Sequence, residues 1–165
     1  MDKDNLKKEI LDILTKDARK TAADIAVMLN LKEDIVSASI HEMENDKTIL
    51  NYKAVVNLQQ LKSDKTHCII EVKCSPQRGV GFDAIARRIY KFPEVKSLYL
   101  MSGGYDLLLL VEGDTMKDIG FFVAEKLATL DSVHNTSTHF LLKRYKEDGI
   151  ILETQEKTPR LAVTP

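Results

Sequence analysis

An α+β fold in two parts is predicted for this chain: an N-terminal winged helix-turn-helix, made of three helices plus a wing strand, followed by a ferredoxin-like βαββαβ domain. Three observations predict it. Apolar residues recur at helical spacing through residues 4–48. From Thr66 onward, period-two runs alternate with amphipathic stretches. A polar segment with no strong period, Asn57 to Lys65 (NLQQLKSDK), separates the two regimes. The predicted division is therefore a helix-turn-helix domain over 1–56, a linker over 57–65, a ferredoxin-like domain over 66–146, and a tail over 147–165 that can form one further hairpin.

The first helix is read from Leu6, Ile10, Ile13 and Leu14, with Asp4 as its N-cap. Thr21-Ala22-Ala23-Asp24 starts the second helix with a capping-box-like pattern, in which the hydroxyl accepts a first-turn N–H. Ile25, Ala26 and Leu29 are its buried stripe, and Asn30 tolerates the left-handed conformation that ends it. The third helix runs from about Glu33 to Asn45 with Val36, Ile40 and Met43 inward. Ile49 to Val56 (ILNYKAVV) is rich in strand formers and is the predicted wing.

In the second half, Cys68, Ile70, Val72 and Cys74 alternate with His67, Glu71 and Lys73, giving a half-buried strand. Ser75 to Gly79 is a turn cluster, and Phe82, Ile85, Ala86 and Ile89 make an amphipathic helix. Val95 to Ser102 and Asp106 to Glu112 are strands broken by Gly103-Gly104, a hairpin. A second helix carries Met116, Ile119, Val123 and Leu127, and Val133 to Tyr145 is the last strand. This order is the split βαβ motif. Its antiparallel sheet has helices on one face only, so the other face needs a cover, and a partner subunit is the simplest one. In the tail, Ile150-Ile151-Leu152 and Leu161-Ala162-Val163 flank a polar stretch, the two arms of the further hairpin.

Composition limits the function. The chain has 165 residues with 24 Lys plus Arg against 25 Asp plus Glu, so it is no polycation that holds nucleic acid by bulk electrostatics. Its 44% hydrophobic and 30% charged residues argue against wholesale disorder. The longest apolar runs, such as Leu107 to Val111, are far short of the ~20 residues that span a bilayer. No apolar signal core follows Met1-Asp2-Lys3-Asp4, and a cytoplasmic location is expected. Cys68 and Cys74 would lie about 20 Å apart on a strand, too far for a disulfide, and read as buried thiols in a reducing compartment. His41, His67, His134 and His139 show no metal-ligand spacing, and neither a metal nor a cofactor is expected. Gly79-Val80-Gly81 lacks the G-x-G-x-x-G spacing of a phosphate loop and reads as a turn.

Four stretches carry a resemblance. ILDILTKDARKTAADIA is similar to the opening helices, and ILNYKAVVN to the wing, of the leucine-responsive regulator/AsnC (feast/famine) family. LYLMSGGYDLLLLVEG resembles its Gly-x-x-Asp hairpin, and NTSTHFLL (Asn135 to Leu142) its last strand. The resemblance covers nearly the whole chain. It implies a DNA-binding transcription regulator that dimerises through its C-terminal domain, often builds octamers from dimers, and answers to a small amino acid.

The predicted DNA-facing residues follow from helix geometry. With Val36, Ile40 and Met43 inward, Asp34, Ser37, Ala38, His41 and Asn45 face out, where a recognition helix meets the major groove. Ser37 can bond either type of base, Ala38 can touch a thymine methyl, and His41 can donate to a base or phosphate. Phosphate contacts are expected from Lys20, Thr21, Lys32, Lys47 and Lys53 in the turns and wing. Against this, the third helix carries Glu33, Asp34, Glu42, Glu44 and Asp46 and no Lys or Arg. Residues 1–62 hold ten basic and eleven acidic side chains, and the family resemblance implies Arg near Ala38 and His41. DNA affinity is therefore expected to depend on the oligomer, since linked modules gain roughly 10² to 10⁴ in apparent affinity.

The predicted effector site is Ser102, Gly103, Gly104, Tyr105 and Asp106. Glycine backbone N–H groups can receive a carboxylate and Asp106 can accept from an α-ammonium, the two charges an amino acid carries on one carbon. Thr136 and Thr138 share a strand face and match the family's Thr-x-Thr. Two other readings stand beside this one: an effector-binding or interaction module whose helix-turn-helix has lost DNA affinity, and an enzyme like the sirohaem decarboxylases, which resemble the same architecture. The latter needs a cationic cluster round an anionic macrocycle, and only scattered Arg78, Arg87, Arg88 and His139 are available.

Overall fold

The structure is a computed structural model that describes residues 2–58, 60 and 65–152. It forms two compact units, Met1–Val56 and Asn57–Pro165.

The first unit contains α1 (Lys3–Leu14), α2 (Ala22–Leu29) and α3 (Glu33–Asn45). Ile10, Leu14, Ile25, Ala26, Val36 and Met43 form its buried core, with Leu29 and Ile40 packed against it. The stripe read from the sequence is thus the stripe that packs. Thr21 closes a capping box with Asp24, and Asn30 takes φ 55° and ψ 47°. α1 starts earlier than expected. Its N-cap is Asp2, whose side chain makes no capping bond. Asp4 lies in the first turn instead, where its charge still complements the helix dipole.

The wing differs from expectation. Ile49 to Val56 forms no strand. Strand formers need a ladder partner, and the other elements of this unit are helices with no free edge. Ile49 instead donates its N–H to the Met43 carbonyl at 2.8 Å.

One buried polar group stands out. Ser39 on α3 is only 6% exposed, and its hydroxyl has no hydrogen-bond partner among the described residues. Such a group carries a desolvation cost with no return. Ser39→Ala is expected to raise the stability of the helical unit by about 0.5–1 kcal/mol, read as an increase in urea midpoint.

The second unit runs β1 (Thr66–Cys74), α4 (Asp83–Ile89), β2 (Val95–Leu100), β3 (Leu107–Gly113), α5 (Met116–Phe121), β4 (Val133–Phe140), β5 (Lys146–Glu147) and β6 (Ile150–Ile151). The four long strands pair in the order β2-β3-β1-β4, all antiparallel. This is the predicted ferredoxin-like sheet. Cys68, Ile70, Val72, Cys74, Leu107, Leu109 and Val111 bury one face against Ile85, Ile89, Ile119, Phe122 and Leu127. Both cysteines are free and buried, and burial pushes the Cys68 thiol up to about 11.

Three boundaries moved for identifiable reasons. β4 stops at Phe140, not Tyr145: Phe140 lies opposite Cys68, Leu141 still donates its N–H to the His67 carbonyl at 2.9 Å, and β1 begins at Thr66, so little partner strand is left beyond it. After α5 the helix widens into a π-helical turn over Phe122–Leu127. The wider turn lets both Phe122 and Leu127 enter the core, whereas Met116, expected inward, is 57% exposed. The tail hairpin turns at Asp148-Gly149, with φ 45° and 82°, the left-handed pair that a type I′ turn requires. Its expected Leu161–Val163 arm lies outside the described residues, as does most of the predicted linker.

The other face of the sheet carries no helix. Ile69 and Leu110 lie opposite each other there, half-buried, with Leu108 opposite Glu71. Titratable pairs flank them: His67 with Glu112 at 3.9 Å and His139 with Glu71 at 3.6 Å. Burial, with the nearby Arg144 cation, holds His67 below its ordinary value of 6.5, against an opposing pull from Glu112. The unfolded chain therefore takes up this proton first as pH falls, and the fold loses stability on acidification through about 6.5. His67→Gln is expected to narrow the difference in melting temperature between about pH 7.5 and about pH 5.5.

Candidate functional site

α3 presents Ser37, Ala38, His41 and Asn45 as exposed side chains along one face. Lys32 precedes the helix as its N-cap, and Lys47 follows it with φ 66°. Lys32, Lys47 and Lys53 are exposed and form no ion pair among the described residues. Lys20 is exposed and lies 4.0 Å from Asp17. Thr21 is committed to its cap: the hydroxyl donates to Asp24 Oδ2 at 2.7 Å and accepts from the Asp24 N–H at 3.1 Å. Its side chain is thus a helix-capping group rather than a free phosphate donor.

The acidic residues of α3 are not spread over this face. Glu42 pairs with Lys3 at 3.0 Å and Lys7 at 3.2 Å, and Asp46 pairs with Lys7 at 3.3 Å. These lysines belong to α1, so both carboxylates turn toward that helix. Lys3 and then Lys7 hold the Glu42 carboxyl below its ordinary value, and Glu42 raises Lys7 in return. Glu44 accepts from the Tyr52 hydroxyl at 2.9 Å and lies 3.5 Å from His41. Glu33 and Asp34 remain in the first turn, where the helix dipole favours them. Counted along the sequence the helix is strongly acidic. Placed in the fold, two of the five carboxylates, Glu42 and Asp46, are partnered away from the outward stripe, while Glu44 lies beside His41 on it.

In the second unit the β2–β3 loop is closed by Met101 N–H donating to the Asp106 carbonyl at 2.8 Å. Ser102, Gly103 and Gly104 are exposed and Tyr105 is half-buried. Gly103 has φ 153°, a value side-chain-bearing residues rarely adopt. Asp106 ties the loop to β1. Its N–H donates to the Val72 carbonyl at 3.0 Å, and its Oδ2 accepts from the Cys74 N–H at 2.8 Å. Its second oxygen, Oδ1, accepts no bond among the described residues.

Thr136 and Thr138 sit on β4 opposite Val72 and Ile70, half-buried on the helix-covered face. β1 separates them from the loop, two strand spacings or about 10 Å. The fold therefore does not bring the threonines against the glycine loop within one chain. It does bring up a group that spacing could not reveal: Ser75 Oγ lies 2.5 Å from His134 Nε2, beside the Asp106–Cys74 bond. No three or more His, Cys, Asp or Glu side chains gather to hold a metal among the described residues. No helix among them is long and apolar enough to cross a membrane.

A three-helix unit presenting an exposed polar helix face, joined to a ferredoxin-like unit with a tethered acidic loop, defines a helix-turn-helix transcription regulator with a ligand-binding domain. Residues 67–151 match the family described as the Lrp/AsnC ligand binding domain. The chain is 44% identical over 158 residues to the HTH-type transcriptional regulator YugG of Bacillus subtilis, covering 95% of each. It therefore belongs to the Lrp/AsnC family of transcription regulators. Among solved structures, the leucine response regulatory protein LrpA of Mycobacterium tuberculosis superposes with a TM-score of 0.73 at 18% identity, covering 93% of this chain and 100% of that one. A Neisseria meningitidis transcriptional regulator in complex with L-Met superposes with a TM-score of 0.67 at 23% identity, covering 89% and 93%.

Proposed function

We propose that this chain regulates transcription by binding double-stranded DNA through the exposed face of α3, as a homo-oligomer, under the control of a small amino acid received at the Ser102–Asp106 loop. The carrying observation is the outward stripe of Ser37, Ala38, His41 and Asn45, with Glu42 and Asp46 turned to α1. Ser37, Ala38 and His41 read bases, while Lys20, Lys32, Lys47 and Lys53 contact phosphates. Without its side chain free, Thr21 contributes only its backbone and its cap.

The helix-free face with Ile69, Leu108 and Leu110 supports self-association. Two such faces packed together remove that apolar surface from water and give a two-fold dimer, from which octamers can be built. The loop offers backbone N–H groups to an α-carboxylate and Asp106 Oδ1 to an α-ammonium. Thr136 and Thr138, two strand spacings from the loop, add hydroxyl contacts at the far side of the effector site, from the same chain or from another copy in the assembly. The relative bound to L-Met supports an amino acid as the effector class. The protein acts as a regulator in the cytoplasm, not as a catalyst.

Gel shifts on genomic fragments, including the region upstream of the protein's own gene, test the reading at low and moderate salt, with and without amino acids. Retarded fragments whose affinity changes with one amino acid are expected. Amino-acid binding with no retarded fragment would instead leave a ligand-binding module without DNA affinity.

A further inference from the structure

We propose that Ser75 and His134 read the effector's side chain, selecting amino acids that end in an amide or a carboxylate. This deepens the effector reading and rests on it: the Asp106 loop holds the α-carbon charges, and the Ser75–His134 pair lies further along the same ledge.

The ledge runs across three strand ends. Asp106 at the start of β3 accepts from the Cys74 N–H at the end of β1. Ser75 is the next residue; its N–H donates to the Ser132 carbonyl at 2.9 Å, just before β4. Its hydroxyl meets His134 Nε2 on β4. Ser75 and His134 are both exposed. Six covalent bonds separate the Cys74 nitrogen from Ser75 Oγ, so these atoms lie at most ~7 Å apart. With the Asp106–Cys74 hydrogen bond added, the Ser75 hydroxyl is within about 10 Å of the Asp106 carboxylate. Extended asparagine or glutamine measures roughly 5–6 Å from its α-nitrogen to its side-chain amide. One hydrogen bond of ~2.9 Å at each end covers the interval.

The chemistry of the pair sets the preference. A serine hydroxyl donates and accepts, and neutral imidazole has one donor and one acceptor. Nε2 is taken up with Ser75, which leaves Nδ1 without a bond among the described residues. A side-chain amide presents both a donor and an acceptor to such a pair, and a carboxylate accepts from its donors. A branched aliphatic side chain laid on the pair would strip water from two polar groups and return no hydrogen bond. The same pair could also serve only as a latch between β1 and β4. In that case it would affect stability and every ligand alike.

Calorimetry on the full-length protein separates the two. The probes are asparagine, glutamine, aspartate, leucine and alanine, against wild type, Ser75→Ala, His134→Ala and His134→Gln, with melting temperatures recorded for each. Wild type is expected to favour an amide or carboxylate side chain over leucine by about tenfold or more. Ser75→Ala and His134→Ala are expected to reduce that ratio to about threefold or less while alanine binds as before. His134→Gln, which still bonds Ser75, is expected to keep more of it. A wild-type preference for leucine, or variants that leave the ratio intact or weaken all ligands equally, would overturn the proposal alone. If none of the five amino acids binds, the effector reading fails and takes this inference with it.

Discussion

Leu110→Arg is expected to yield a monomer whose affinity for its DNA falls by about 10²-fold or more. Leu110 lies opposite Ile69 at the centre of the sheet face that no helix covers. An arginine there adds a charge and bulk that two packed faces must desolvate, beside Lys96, a cation that already lies 3.9 Å from Glu112. The loss in DNA affinity follows from the first unit. Its outward stripe contains no Arg or Lys, so one module makes few charge-assisted contacts and depends on a linked second module. Sedimentation and gel shifts on the same sample check both halves. A monomer that bound DNA as tightly as wild type would refute the dependence on assembly.

Asp106 should split into two separable effects. In Asp106→Ala the Cys74 N–H loses its acceptor, at a cost of about 1–3 kcal/mol, and the loop loses its tie to β1. Asp106→Asn retains an oxygen that can accept that N–H but carries no charge. It is therefore expected to melt close to wild type while binding an amino acid at least about tenfold more weakly, since an α-ammonium loses its counter-charge. Unfolding curves and calorimetry on the two variants test this. Undiminished binding by Asp106→Asn would remove the carboxylate from the site and leave it a structural tie.

Much of the architecture was legible because it rests on local patterns. The alternation of Cys68, Ile70, Val72 and Cys74 is the pattern that becomes buried. Thr21 with Asp24, and Asn30 after Leu29, are helix signals that act within a turn of the chain. The Asp148-Gly149 turn, with both residues at positive φ, is equally local and closes the short β5–β6 hairpin. The wing failed because propensity cannot supply a partner strand. The π-helical turn failed because a 3.6-residue period assumes regular winding, while Phe122 and Leu127 are five apart and both buried.

The candidate sites divide along the same line. The residues of the β2–β3 loop and the outward stripe of α3 could be named from the sequence, since each lies on one short element. Their partners could not. Lys7 meets Asp46 across 39 positions, Asp106 meets Cys74 across 32, and Ser75 meets His134 across 59. By itself the sequence determined the helices and long strands, their order, the helix-turn-helix and ferredoxin-like fold class and the family. Only the tertiary structure decided which carboxylates of α3 are neutralised, that Asp106 is half committed to the fold, and that a hydroxyl–imidazole pair continues its ledge. Helical and strand periods are set by neighbours in the chain, whereas charge pairing and hydrogen bonding between elements depend on distances that only packing fixes.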